Sequence, residues 1–528
     1  MTRFILVGFA LCALLVAATD YDAQGKRWWS HIEALANDGM QGRNVGTEGY
    51  RKAAAYVAGE FERDGLKPAG TQGYMQPVSF DVVQIEEDKS SLSLVKNGRA
   101  EPVKLGEDAV ISLRGDTADH TEAQAVFVGY GISVPELKYD DFAGQDLKGK
   151  IVVTLAGGPS SIPGPLKSHY QSAGVRWKQL RDLGAVGMAT IPNPKSMDVP
   201  WARMTLARFQ PSMSLADPSM KETEGMRLNI TINPARADVF LAGTGHAIAE
   251  ILAAADGGKP LPHFPLKAGI RADIKLIKSK TESPNVAAIF VGSDPKLKDE
   301  YVVLSAHLDH VGVGKPINGD SIYNGAMDDA SGIATILEVA RMLKQSNARP
   351  KRSLIFLAVT GEEKGLQGSR YFSTHPTVNG KSIVADVNLD MFLPLHRLEY
   401  LEVQGLDEST LGDDIRAVAE RVGIKIQADK EPQRNLFIRS DQYSFIRQGV
   451  PALAFKFGYL PGSPEEKLHK DWLTNRYHAP SDDLNQPVDK AAAARFNEVI
   501  LHLTEKVANA PERPKWKPDS FFRRFATS

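Results

Sequence analysis

Five side chains able to bind a metal, His307, Asp328, Glu363, Asp390 and His478, stand at or near the ends of short apolar segments in the C-terminal half of the chain. Asp309 follows the first of them by two residues, and Glu362 immediately precedes Glu363. Two imidazoles and three carboxylates form the nitrogen and oxygen set that two neighbouring Zn²⁺ ions take. A further carboxylate beside them can accept the proton of a water held between the cations. These residue types in this arrangement predict a metallohydrolase.

The elements that must position them follow from the apolar pattern. From about residue 284 the sequence alternates strand-length runs (286–291, 301–306, 353–359 and 383–389) with helical periodicity, clearest over 331–345. His307, Glu362–Glu363 and Asp390 follow or close such runs, and open α/β sheets bind ligands at the carboxyl ends of their strands. Asp328 sits where a loop enters the 331–345 helix, a place from which a carboxylate can bridge two cations; Asp329 or Ser331 can cap that helix. His478 arrives on a Pro-containing loop. In an extended segment residues two apart share a face, so Asp309 is expected to orient His307 through its free ring nitrogen. The same alternation turns His310 to the opposite face and excludes it from the ligands. Adjacent carboxylates at Glu362 and Glu363 repel unless cations compensate; Glu363 is assigned as a ligand and Glu362 as the proton acceptor.

Elsewhere the pattern predicts helices between about 25 and 70, a strand-rich region with frequent Gly and Pro between about 75 and 275, and later helices at 408–422 and 489–508, with a buried strand at 450–457. No internal repeat is visible. The basic, aromatic stretch 511–528 reads as an exposed or loosely docked terminus.

Composition bounds the function. Across 528 residues, 63 basic and 64 acidic side chains give a net charge of −1, which offers no electrostatic case for nucleic acid or an anionic membrane. The length predicts two or three domains. Arg3 followed by the apolar run 4–18 reads as a secretory leader cleaved near Ala18, being shorter than the roughly 20 residues a spanning helix needs. No other segment is apolar enough to span a bilayer. The one cysteine, Cys12, lies inside that leader, so zinc sites in the exported chain must be built from His and carboxylates.

The strings Ala306-His307-Leu308-Asp309, Met327-Asp328-Asp329-Ala330-Ser331-Gly332, Gly361-Glu362-Glu363-Lys364-Gly365, Asn388-Leu389-Asp390-Met391, Arg439-Ser440-Asp441-Gln442-Tyr443 and Tyr477-His478-Ala479-Pro480 together resemble the co-catalytic zinc aminopeptidases related to glutamate carboxypeptidase and glutaminyl cyclase. The resemblance covers roughly 25–110 and 280–508. It implies an α/β fold with a mixed central sheet flanked by helices, of the zinc exopeptidase or phosphorylase-hydrolase-like kind, and two Zn²⁺ per chain. It makes Asp328 the bridging ligand, Glu363 and His478 the rest of one site, His307 and Asp390 the rest of the other, Glu362 the general base and Asp309 the partner of His307. A cis peptide between Asp328 and Asp329 is also implied. Arg439, Phe437 and Asp441 are the substrate-side candidates. Two positions depart from the family: Gln442 stands where relatives often have His, and Phe437 where some have Tyr, which leaves the oxyanion donor unassigned.

Phe127-Val128-Gly129-Tyr130-Gly131, Tyr139-Asp140-Asp141-Phe142 and Lys148-Gly149-Lys150-Ile151 resemble an inserted protease-associated domain, in which Asp140-Asp141 reads as a solvated acidic turn. The expected division is a leader at 1–18, the first part of the peptidase domain at 19–110, the insert at 111–275, the catalytic domain at 276–510 and a tail at 511–528. The expected function is a secreted or periplasmic di-zinc aminopeptidase acting on peptides. The alternatives are a carboxypeptidase or dipeptidase on the same scaffold, a glutaminyl cyclase, or a non-catalytic receptor-like relative.

Overall fold

The apolar runs of the C-terminal half assemble side by side into one mixed sheet. In the computed structural model, which describes residues 20–526 except Asp198 and Asn435, its strands lie in the order Ser212–Leu215, Met75–Ile85, Leu276–Phe290, Ser353–Val359, Tyr301–His307, Ile383–Asn388, Ala452–Gly458, Tyr400–Gln404 and Lys425–Ala428. The leader expected at 1–18 lies outside the described residues. The central four strands from Ser353–Val359 to Ala452–Gly458 run parallel, and antiparallel neighbours flank them. Every residue of Ser353–Val359 and Ile383–Asn388 is buried, as expected where helices cover both faces of a sheet.

Helices Tyr21–Leu35, Glu48–Arg63, Ser331–Gln345 and Lys490–Asn509 supply the core on one face, and Phe372, Phe445 and Val450 pack on the other. Fully burying each such Leu, Ile, Val or Phe is worth about 1.5–3 kcal/mol. The strands are therefore rigid supports for whatever projects from their ends. The Ser331–Gln345 helix matches its expected span, and Asp329 Oδ1 accepts from the Gly332 amide in its first turn.

The inserted module has its own core, running from Leu92 to Ile274. A six-stranded sheet, whose middle strands Ala125–Val128, Ile151–Leu155, Gly187–Ile191 and Leu228–Ile232 are parallel, carries the helices Gly164–Gln171 and Ala173–Asp182. A second sheet has the strand order Arg99–Val103, Ser91–Lys96, Gly269–Asp273 and His120–Ala123. The module thus begins near residue 91, about twenty residues before the expected boundary at 111. It also lends the strand Ser212–Leu215 to the edge of the peptidase sheet. Asp141 is not a solvated turn residue: it is buried, accepting from the Tyr139 hydroxyl and the Ile132 amide.

The tail is not loose either. Trp516 and Phe522 are buried, the Trp516 indole donates to the Gly449 carbonyl at 2.8 Å, and Arg524 pairs with Glu136 of the insert. Phe521 and Phe525 lie against the His169 ring, which itself meets the Tyr443 hydroxyl. The C-terminal aromatics therefore fasten the insert to the peptidase domain. Among the described residues no helix is long and apolar enough to cross a membrane.

Candidate metal centre

Parallel strands put their carboxyl ends on one edge, and register places His307 beside Val359 and Ser305 beside Asn388. The residues just beyond those ends converge. His307 Nε2 lies 3.1 Å from Asp328 Oδ1 and 3.6 Å from Asp390 Oδ1. His478 Nε2 lies 3.2 Å from Asp328 Oδ2 and 3.1 Å from Glu363 Oε2. All five expected ligands thus form one cluster, and Asp328 turns one oxygen to each half of it.

The chemistry of the cluster fits two cations. Asp328 Oδ2 and Glu363 Oε1 are buried without a hydrogen-bond partner, a condition native proteins rarely tolerate without an ion or water. The ligand atoms of His307, Asp328 and Asp390 lie close enough to surround one ion. Nitrogen and carboxylate donors in this ratio suit zinc.

The backbone that presents these atoms is held by carboxylates of its own. Asp482 accepts from the Met327 and Asp328 amides, and Asp329 accepts from the His307 and Met391 amides. The peptide between Asp328 and Asp329 is cis. Asp309 is fully buried but does not do what alternation predicts. Its two oxygens take the Glu362 and Glu363 amides at 3.1 and 3.3 Å, while His307 Nδ1 meets the Asp309 backbone carbonyl at 2.9 Å. The strand ends at His307, so period two no longer applies beyond it.

The same departure brings in His310. Its Nδ1 lies 2.8 Å from Glu363 Oε1 and 3.7 Å from Asp328 Oδ2. The expectation that it faces away is wrong.

Sequence reasoning also missed Arg43, which is fully buried and donates to the carbonyls of Leu308, Leu35, Asn324 and Gly325 at 2.6–2.9 Å. It ties the loop after His307 to the loop before Asp328. Burial lowers its guanidinium to about 10, against the raising influence of Asp482 and Asp328. Arg43→Met should cost about 3–5 kcal/mol, because it strands buried carbonyls. Denaturant melts of the metal-free chain check this, and a change below about 1 kcal/mol would contradict it.

Glu362 lines cavities together with Asp328, Asp390, Glu363 and His478, and among the described residues no hydrogen bond holds its carboxylate. Burial, reinforced by Asp390 and Glu363 and opposed by His307, pushes its carboxyl above the usual range. Asp441 is buried behind the cluster rather than open to a substrate, and burial raises it to about 7. Phe437 is not at the site: it packs on Phe522 and over Gly405, because an apolar ring is better buried with the tail than left beside carboxylates. Gln442 is buried too, accepting from Asn388 Nδ2 and donating to the Phe437 carbonyl.

Of the cavities that open from the cluster, two border Glu362. One, of about 90 Å³, lies beyond Asp390 and Glu362 and is walled by Leu436, Phe455, Phe457, Tyr459, Glu402, Lys456 and His469. The other, of about 550 Å³, runs between the insert (Arg114, Gln171, Ser172) and the peptidase side (Glu363, Arg439, Tyr443, Tyr477). Arg439 lies on the rim of both.

In the smaller cavity burial pushes Glu402 up to about 7. Burial, then Lys456 and Arg434, hold His469 down to about 3. An unfolded imidazole takes up its proton near 6.5, so between about pH 6.5 and 3 the unfolded chain binds more protons at this position. The contribution of His469 to stability should fall as pH drops through that window, by an amount on the order of a few kcal/mol, and Glu402 opposes it at the upper end. Melting temperature against pH should fall less steeply in His469→Gln; an unchanged acid limb would contradict the assignment.

Residues 285–504 match the model of peptidase family M28. A probable zinc metalloprotease of Pyrenophora tritici-repentis is 35% identical over 264 residues, covering 43% of this chain and 57% of that protein. Carboxypeptidase Q of Rattus norvegicus is 32% identical over 227 residues, 42% of each chain. The chain spans about half the length of the curated relatives it matches. The structure of an aminopeptidase from Aneurinibacillus sp. strain AM-1 superposes with a TM-score of 0.55 over 91% of this chain and 92% of that one, at 19% identity, which shows the shared fold. Residues 285–504, which carry all five clustered ligand candidates, are thus similar to peptidase family M28.

Proposed function

We propose that the chain is a di-zinc exopeptidase that removes N-terminal residues from peptides. The observation that carries this reading is Asp328, whose two oxygens face two separate donor groups, with Glu362 lining the cavities that open there. Zinc held there by His307, Asp390, Asp328, Glu363 and His478 would supply Lewis acidity and lower the pKa of a water.

The chain's own groups do the rest. The Glu362 carboxylate takes a proton from the attacking water and returns it to the leaving amine. Asp309, by accepting the Glu362 and Glu363 amides, fixes where that carboxylate stands relative to the ligands. A cavity of about 90 Å³ beside Asp390 and Glu362 suits one terminal side chain, and the two carboxylates suit a free ammonium. The inserted module, which resembles a protease-associated domain, walls the larger cavity and limits which peptides enter. The leader-like stretch at 1–18 supports action outside the cytoplasm.

A carboxypeptidase is the second reading, favoured by Arg434 and Arg439 on the rims of both cavities, since a terminal carboxylate wants fixed guanidinium groups. Amino-acid anilides assayed beside N-blocked peptides separate the two. The proposal expects chelator-sensitive cleavage of free-amine substrates alone; cleavage of N-blocked peptides from the carboxyl end would overturn it.

A further inference from the structure

We propose that His310 is a third histidine ligand, binding through Nδ1 the cation held by Asp328, Glu363 and His478. This rests on the reading that the cluster holds two divalent cations.

Position argues first. Nδ1 is 2.8 Å from Glu363 Oε1, while the other oxygen of that carboxylate is 3.1 Å from His478 Nε2. Glu363 thus lies between two imidazoles whose ring centres are 5.8 Å apart. The ligand atoms of His310, Asp328 and Glu363 are close enough to share one ion.

Alignment argues second. Nδ1 and Oε1 are near enough to hydrogen bond, yet both are buried atoms without a hydrogen-bond partner. A donor and acceptor at that distance should point at each other; two lone pairs converging on a common third point need not.

Seating argues third. The His310 amide donates to the Arg43 carbonyl, and the ring lies against Gly325, where a Cβ would come within 2.5 Å of His310 Cγ. At φ +64 that position suits glycine in any case. A fully buried imidazole is held in place among carboxylates.

The two cation positions then differ. Four protein donors (His310, His478, Asp328 and Glu363) close one of them, whereas three (His307, Asp328 and Asp390) leave the other more open. Four-donor zinc sites are typically structural and three-donor sites catalytic. The closed position should keep its metal longer, and the open one should meet the substrate carbonyl.

Zinc titration of the wild-type chain with graded chelator, read by elemental analysis, tests the asymmetry. Absorption-edge spectroscopy of the one-zinc form counts imidazoles directly. We expect two affinity classes, and two imidazoles on the tighter zinc. His310→Ala and His310→Gln should weaken that class by about 10–100-fold or more and lower the count by one, with the metal-free melting curve showing that each variant folds. A tight zinc with one imidazole in the wild type, or unchanged affinity in folded variants, would overturn the proposal alone. A wild-type chain that takes up no zinc would overturn it together with the proposed function.

Discussion

Glu362→Gln should retain two zinc ions and the wild-type melting temperature, yet hydrolyse its best substrate about 10²–10⁴-fold more slowly. The reasons are local. Glu362 belongs to neither donor group, and among the described residues its carboxylate makes no hydrogen bond that the amide would lose. Its backbone amide, which Asp309 accepts, is untouched by the change. Only proton acceptance is removed, so kcat should fall while metal content stays constant. Turnover equal to wild type would reject the role, and loss of metal would show that Glu362 is a ligand.

Asp328→Ala should have the opposite signature. It removes one donor from each group at once, so the chain should retain fewer than one zinc and lose activity at least as completely as Glu362→Gln. The loop should survive, because Asp482 holds the Asp328 backbone amide and not the side chain. In the metal-free chain, against burial and Glu363, the His310, His307 and His478 imidazoles hold that carboxyl below the usual range, so its removal breaks buried ion pairs. The metal-free variant should therefore melt below the metal-free wild type. Two zinc ions retained by folded Asp328→Ala would contradict a shared ligand.

How far these residues were legible in the sequence depends on how local their cause is. His307, Glu363 and Asp390 could be read because buried parallel strands are short apolar runs, and polar residues just past them land on one edge. The Ser331–Gln345 helix could be read because its apolar positions recur at helical spacing. Asp309 and His310 were misassigned at the point where regular structure stops: beyond His307 the backbone leaves the strand, and face alternation has no force. Arg43 carried no local signal, since its partners are carbonyls more than 250 residues away, apart from Leu35. It sits at φ +48 in an irregular turn. The tail did carry a signal, Trp516, Phe521, Phe522 and Phe525, which its basic residues obscured. An aromatic cluster of that density gains from docking. The insert begins earlier than expected because Ser91–Lys96 pairs with the strand near 270, a contact that sequence order does not reveal.

The central claim is that two cations share Asp328. Anomalous scattering at the zinc edge from crystals of the wild-type protein tests it most directly. Two peaks are expected, one against His307 and Asp390 and one against Glu363 and His478, with an oxygen of Asp328 touching each. A single peak, or zinc bound away from Asp328, would contradict it.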